Sequence, residues 1–244
     1  AEDLAPVTPI QDLGPRAELV LDLPAWEETI RQASAALAES PVVHDGQVRL
    51  IAQQSTRWFV SSEGTRLRHS GTHVRVTVML NTVADDGEAL GLSYSWDAAS
   101  DEGIPDRDAI EAKTRELDDL LTQLRVAPDQ EPYSGPAVLT GRAAGVFFHE
   151  IFGHRVEGHR LKRVDDAQTF RDMVDQPVLL EFLSVHDDPT MAAFEGVDLN
   201  GHYRFDNQGV PGERVTLVDG GVLAHAPLLT VSTWAGSWWG SRRT

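Results

Sequence analysis

The chain has 244 residues, enough for one large or two modest domains with a real apolar core, and 41% hydrophobic and 24% charged residues are ordinary for a globular protein. A formal net charge of −17, from 38 acidic against 21 basic side chains, argues against nucleic-acid and anionic-membrane partners, because phosphate-tracking surfaces need clustered Lys and Arg. The absence of cysteine excludes a disulfide framework, a Cys nucleophile and a thiolate metal site built from these residues alone, and it fits a reducing, cytoplasmic compartment. No apolar run approaches the roughly 20 residues of a membrane span, and no signal-peptide pattern is visible in these residues.

Residues 1–23, rich in Pro and Asp, are expected to form a linker or lead-in arm. Pro24 then opens a helix to about Ser40, with Trp26, Ile30, Ala33 and Leu37 on one face. Strands are predicted at Arg49–Gln53 and Thr56–Ser61, followed by a turn at Glu63-Gly64. Val74, Val76, Val78 and Leu80 alternate with polar residues, the period of a half-buried strand. Asp86-Gly87 is a hairpin turn into a strand at Leu90–Trp96. After a polar loop at 97–105, Pro105 starts a second helix to about Arg125, with Ile110, Leu117, Leu121 and Leu124 as its core stripe and Asp106 and Asp108 at its electropositive end.

The Pro-rich stretch Ala127–Pro136 is the predicted boundary between a 24–126 α+β domain and a second one over 127–223. A short strand is expected at Ala137–Thr140, then a helix around the His-rich segment, then an apolar run at Val178–Val185. Arg214–Val218 and Val222–Ala224, joined by Asp219-Gly220-Gly221, predict another hairpin. Residues 224–244 form an atypical tail: Trp234, Trp238 and Trp239 fall there and no acidic residue follows Asp219. The fold class is α+β, mainly antiparallel strands with a few packing helices and an HExxxH motif on a helix.

That motif carries the chemistry: Gly145-Val-Phe-Phe-His149-Glu150-Ile-Phe-Gly153-His154-Arg-Val-Glu157-Gly-His159. Zinc takes imidazole and carboxylate ligands and in catalytic sites keeps one position for water, whose proton a nearby carboxylate can accept. His149 and His154 supply two nitrogens and Glu150 the base. The histidines are five apart, however, and on a regular helix of 3.6 residues per turn this rotates them about 140° from each other. They converge only if the backbone is distorted between them, and Gly153 is where a bulge or break costs least. Glu157 and His159 stand as residues that orient a ligand histidine or as alternative ligands. His186, His202 and His225 would need the fold to deliver them.

The segment resembles the TldD/PmbA family of metallopeptidases, also called modulators of DNA gyrase. In that family an HExxxH core is followed by a Glu-Gly step, here Glu157-Gly158. The likeness extends over roughly residues 45–223, through Ser61-Ser62-Glu63-Gly64, Ser134-Gly135-Pro136-Ala137-Val138-Leu139, Asp206-Asn207-Gln208-Gly209-Val210-Pro211 and Val218-Asp219-Gly220-Gly221-Val222-Leu223. The resemblance implies that His149 and His154 bind Zn2+, that Glu150 is the general base, and that unfolded or extended peptides are hydrolysed within a homo- or heterodimer. It places the family's third ligand, a cysteine, outside these residues, together with an N-terminal α/β portion and most of a barrel-like C-terminal domain. The alternative is a non-catalytic paralogue or partner subunit of such a complex. A gyrase-linked nucleic-acid role fits poorly with the charge of −17.

Overall fold

The computed structural model describes residues 8–157 and 169–224. Of these, residues 8–131 and 193–200 form one compact unit, and 132–157, 169–192 and 201–224 form another. Among the described residues, three α-helices and mostly antiparallel strands make the fold α+β.

The first unit is built on one long hairpin. Strand β2 (Asp45–Val60) pairs with β3 (Arg66–Val83) residue for residue, from Asp45 opposite Asn81 to Val60 opposite Arg66. The two strands predicted at Arg49–Gln53 and Thr56–Ser61 are therefore one. Polar Gln54 and Ser55 do not interrupt it, because this end of the ribbon is exposed and Ser70 donates to the Ser55 carbonyl at 3.0 Å while meeting Thr56 Oγ1 at 2.9 Å. The connection at 61–65 closes through Gly64 N–H to the Ser61 carbonyl, with Gly64 at φ +101°.

Strand β4 (Ala89–Ala98) pairs antiparallel with Val74–Val83, across a turn in which Gly87 takes φ +94° and Asp86 accepts from the Glu88 amide. The other end of the same β3 edge is taken by β1 (Gln11–Leu13), parallel to Arg66–Arg68. Part of the expected lead-in arm is thus a strand, pinned by the Arg68 guanidinium on the Gly14 carbonyl at 2.7 Å.

Helices cover one face of this sheet. Helix α1 (Leu23–Ala38) begins at Asp22, whose carboxylate accepts the Ala25 amide. Helix α2 (Arg107–Arg125) begins at Asp106, which accepts from Ala109, so Pro105 lies just outside it. Val74, Val76, Val78 and Leu80 are 0% exposed and pack with Ala33, Leu37, Ile110, Leu117 and Leu121. The β3 residues between these four stay partly exposed, so the strand is half buried as its alternation predicts, with two helices against the buried face. In α2 the buried stripe is Ile110, Thr114, Leu117 and Leu121. Thr114 is accommodated because its hydroxyl donates to the Ile110 carbonyl at 2.9 Å, while Leu124 in the last turn is exposed.

In the second unit, the strand predicted at Ala137–Thr140 is absent. No described strand lies beside this stretch, and Val138 is 99% exposed. Helix α3 (Gly141–Ile151) follows, then a 3-10 turn at Gly153–Arg155. The apolar run after Val178 is mostly irregular; only Val185 enters a strand, β5 (Val185–Asp187), with Phe182 turned outward. Two short strands, β6 (Ala193–Phe194) and β7 (Val197–Asp198), pair with each other and belong to the first unit.

Strands β8 (Val215–Asp219) and β9 (Val222–Leu223) form the predicted hairpin, with β5 on the other side of β8. Its two turn residues, Gly220 and Gly221, have φ +50° and +81°, the left-handed pair such turns require. Phe152, Val156, Leu217, Val218 and Leu223 form this unit's core. Among the described residues no helix is long and apolar enough to cross a membrane.

Candidate metal centre

The site lies where α3 gives way to the 3-10 turn. The helix ends at Ile151, and Phe152 takes φ −110° and ψ −54°, well off the ordinary helical φ of about −63°. The next amides bond at tighter spacing: Arg155 N–H reaches the Phe152 carbonyl at 2.9 Å, and Val156 N–H is shared between Phe152 and Gly153. The distortion is a break into 3-10 geometry, beginning one residue before the glycine that the spacing singled out.

Packing holds the break in place. Phe152 and Val156, on either side of His154, are buried against Leu217, Val218 and Leu223, and Phe152 meets Phe170 at a ring-centroid separation of 5.5 Å. His154 is thus carried on a turn anchored at both ends in the core.

His149, on the last turn of α3, is 8% exposed. Its ring lies 4.3 Å from that of His154, centroid to centroid, at an interplanar angle of 65°. Glu150 stands at the outer side of the pair with a 60% exposed side chain; its Oε1 is 3.6 Å from His149 Nε2 and its Oε2 3.9 Å from His154 Nε2. Ligand atoms of His149, Glu150 and His154 all lie within 4.8 Å of one another. The two imidazoles are borderline nitrogen donors of the kind Zn2+ takes, and the Glu150 carboxylate stands beside them where it can reach a water on such an ion.

Glu157 does not join that converging group. It is 7% exposed, and its Oε1 meets His154 Nδ1 at 2.9 Å. His159 and the Trp-rich tail lie outside the described residues. His186 is on β5 beside Thr216, and neither it nor His202 enters the cluster; His225 is likewise outside the described residues.

The structure brings together two clusters that the sequence did not reveal. Asp86, Glu88 and Asp129 converge as three exposed carboxylates near the β3–β4 turn. On the sheet face opposite the helices, Asp97 accepts from His73 Nε2 at 2.8 Å and from Arg75 Nε at 2.5 Å. Burial pushes the Asp97 pKa up, but the hydrogen bonds from His73 and Arg75 outweigh it and the carboxyl lies below its ordinary value. The period-2 pattern of β3 and β4 hinted at the pairing of Arg75 with Asp97; nothing local pointed to Asp129.

The converging His149, Glu150 and His154 side chains are a candidate metal centre, and the comparisons with known proteins supply the family. Residues 19–121 match the PmbA/TldA metallopeptidase central domain, and residues 132–233 match the PmbA/TldA metallopeptidase C-terminal domain. The chain belongs to the PmbA/TldD metallopeptidase family. It is 28% identical over 207 residues to a metalloprotease of Methanothermobacter thermautotrophicus, covering 83% of this chain and 43% of that protein. It is 32% identical over 118 residues to a metalloprotease of Archaeoglobus fulgidus, covering 48% of this chain and 25% of that one. In fold it is similar to a Bacteroides thetaiotaomicron protein described as a candidate modulator of DNA gyrase, with a TM-score of 0.68 and 15% identity over 86% of this chain and 46% of that one. The chain thus spans less than half the length of these relatives.

Proposed function

We propose that this chain carries the metal-binding half of a zinc-dependent peptidase site acting on unfolded or extended peptides. The observation that supports this most is the convergence of His149, Glu150 and His154 within 4.8 Å across a broken helix. His149 and His154 would hold the ion through their Nε2 atoms. Zinc, when bound, supplies Lewis acidity to the scissile carbonyl and to the attacking water. Glu150, exposed at the mouth of the cluster, accepts that water's proton and returns it to the leaving amine.

On this reading Glu150→Gln, made in the full-length protein, retains zinc but lowers the turnover of an unstructured peptide by about 10²–10⁴-fold, the range for a general base. Undiminished hydrolysis by the variant would refute the role of Glu150. A cytoplasmic location and a dimer, with a like or a related subunit, belong to the same proposal; sedimentation of the purified protein tests the second.

A second reading is a non-catalytic paralogue or partner subunit of such a complex. Elemental analysis separates the two, since a partner subunit holds no zinc even after zinc-replete expression.

A further inference from the structure

His154 is gripped on both edges of its ring. Nε2 faces the Glu150 carboxylate and the ring of His149, and Nδ1 lies 2.9 Å from Glu157 Oε1. A neutral imidazole carries one proton, and a carboxylate accepting at Nδ1 puts it there. The lone pair is then on Nε2, the atom turned toward the cluster. Glu157 is itself nearly fully buried, which is costly for a carboxylate unless it is satisfied by a strong donor. Its neighbour Val156 is 0% exposed and fixed in the core, so the carboxylate is placed by packing rather than by chance.

We propose that Glu157 is a positioning residue and not a metal ligand: its hydrogen bond to Nδ1 fixes the orientation and tautomer in which His154 presents Nε2 to the ion. This inference rests on the zinc reading above. Outer carboxylates of this kind orient ligand histidines, and removing one weakens metal binding by about 10–100-fold.

The test measures zinc affinity of the whole chain by competition with a chromogenic chelator, for the unsubstituted protein, Glu157→Gln, Glu157→Leu, His154→Ala and the double variant His154→Ala/Glu157→Leu. Long-range proton–nitrogen NMR of the metal-free protein reads the His154 tautomer. Glu157→Leu should weaken zinc about 10–100-fold, while Glu157→Gln, which keeps an acceptor oxygen, keeps the tautomer and loses less. In the His154→Ala background, titrated at higher zinc to read the residual affinity of the remaining ligand, Glu157→Leu should make no further difference. Equal affinity of Glu157→Leu and the unsubstituted protein, or the same loss in both backgrounds, overturns the positioning role alone. No zinc binding by the unsubstituted protein overturns the zinc reading and this inference with it. Should Glu157→Leu fail to fold, the tautomer in the unsubstituted protein decides, and a proton on Nε2 rather than Nδ1 overturns the inference.

Discussion

Replacing Asp97 with Asn tests how far a polar cluster, rather than the apolar core alone, holds the long sheet of the first unit. The carboxylate bridges two residues of β3 from its partner strand, with side chains 23% (Asp97), 18% (Arg75) and 28% (His73) exposed. That exposure lies between a surface ion pair, contributing about 0–1 kcal/mol, and a fully buried one, whose disruption costs about 3–5 kcal/mol. Hydrogen bonds to charged groups contribute about 1.5–3 kcal/mol, so Asp97→Asn should cost about 2 kcal/mol at neutral pH. For a unit of this size that lowers Tm by roughly 6–10 °C.

The pH dependence has a fixed sign. The folded carboxyl titrates below its unfolded value, so its contribution is fully present above the unfolded pKa of about 3.9 and is lost as pH falls through the lower folded value. Thermal or urea unfolding at pH 7 and near pH 3 should show the gap between the two proteins closing in acid. A gap that is absent at pH 7, or that persists unchanged in acid, would refute the assignment.

Two further substitutions probe the scaffold of each unit. Leu121→Ala, at a 0% exposed position of α2 packed in the first core, should cost about 2–5 kcal/mol in urea unfolding; a change below 1 kcal/mol would mean that α2 is not seated as described. Gly221→Ala places a Cβ 2.6 Å from the Leu179 carbonyl oxygen at a φ of +81°. The cost of left-handed strain alone is about 1–3 kcal/mol, and because β8 and β9 support the turn bearing His154, zinc affinity should fall along with stability; retention of both would show that the hairpin does not support the site.

Much of the first unit was legible because local pattern and tertiary demand coincide. The alternation Val74, Val76, Val78, Leu80 marked the buried face, and Pro24 and Pro105 marked the two helix starts to within two residues. What escaped depends on pairing at a distance. Gln54 and Ser55 look like a break until β3 supplies sixteen consecutive partners, and Gln11–Leu13 looks like a linker until the free end of the β3 edge accepts it. The stretch at Ala137–Thr140 failed the other way: its composition is strand-like, but no described strand pairs with it. At the site, the five-residue spacing and Gly153 foretold a distorted backbone. The burial of Phe152 and Val156 against the β8–β9 hairpin, which holds that distortion in place, could not be read from spacing because the hairpin lies some sixty residues further along.

The central claim is that His149 and His154 share one ion, and the zinc content of purified protein tests it most directly. After zinc-replete expression, elemental analysis should find about one zinc per chain, and His149→Ala and His154→Ala should each lose it while remaining folded. Metal-free unsubstituted protein, or zinc undiminished in both variants, would contradict the account.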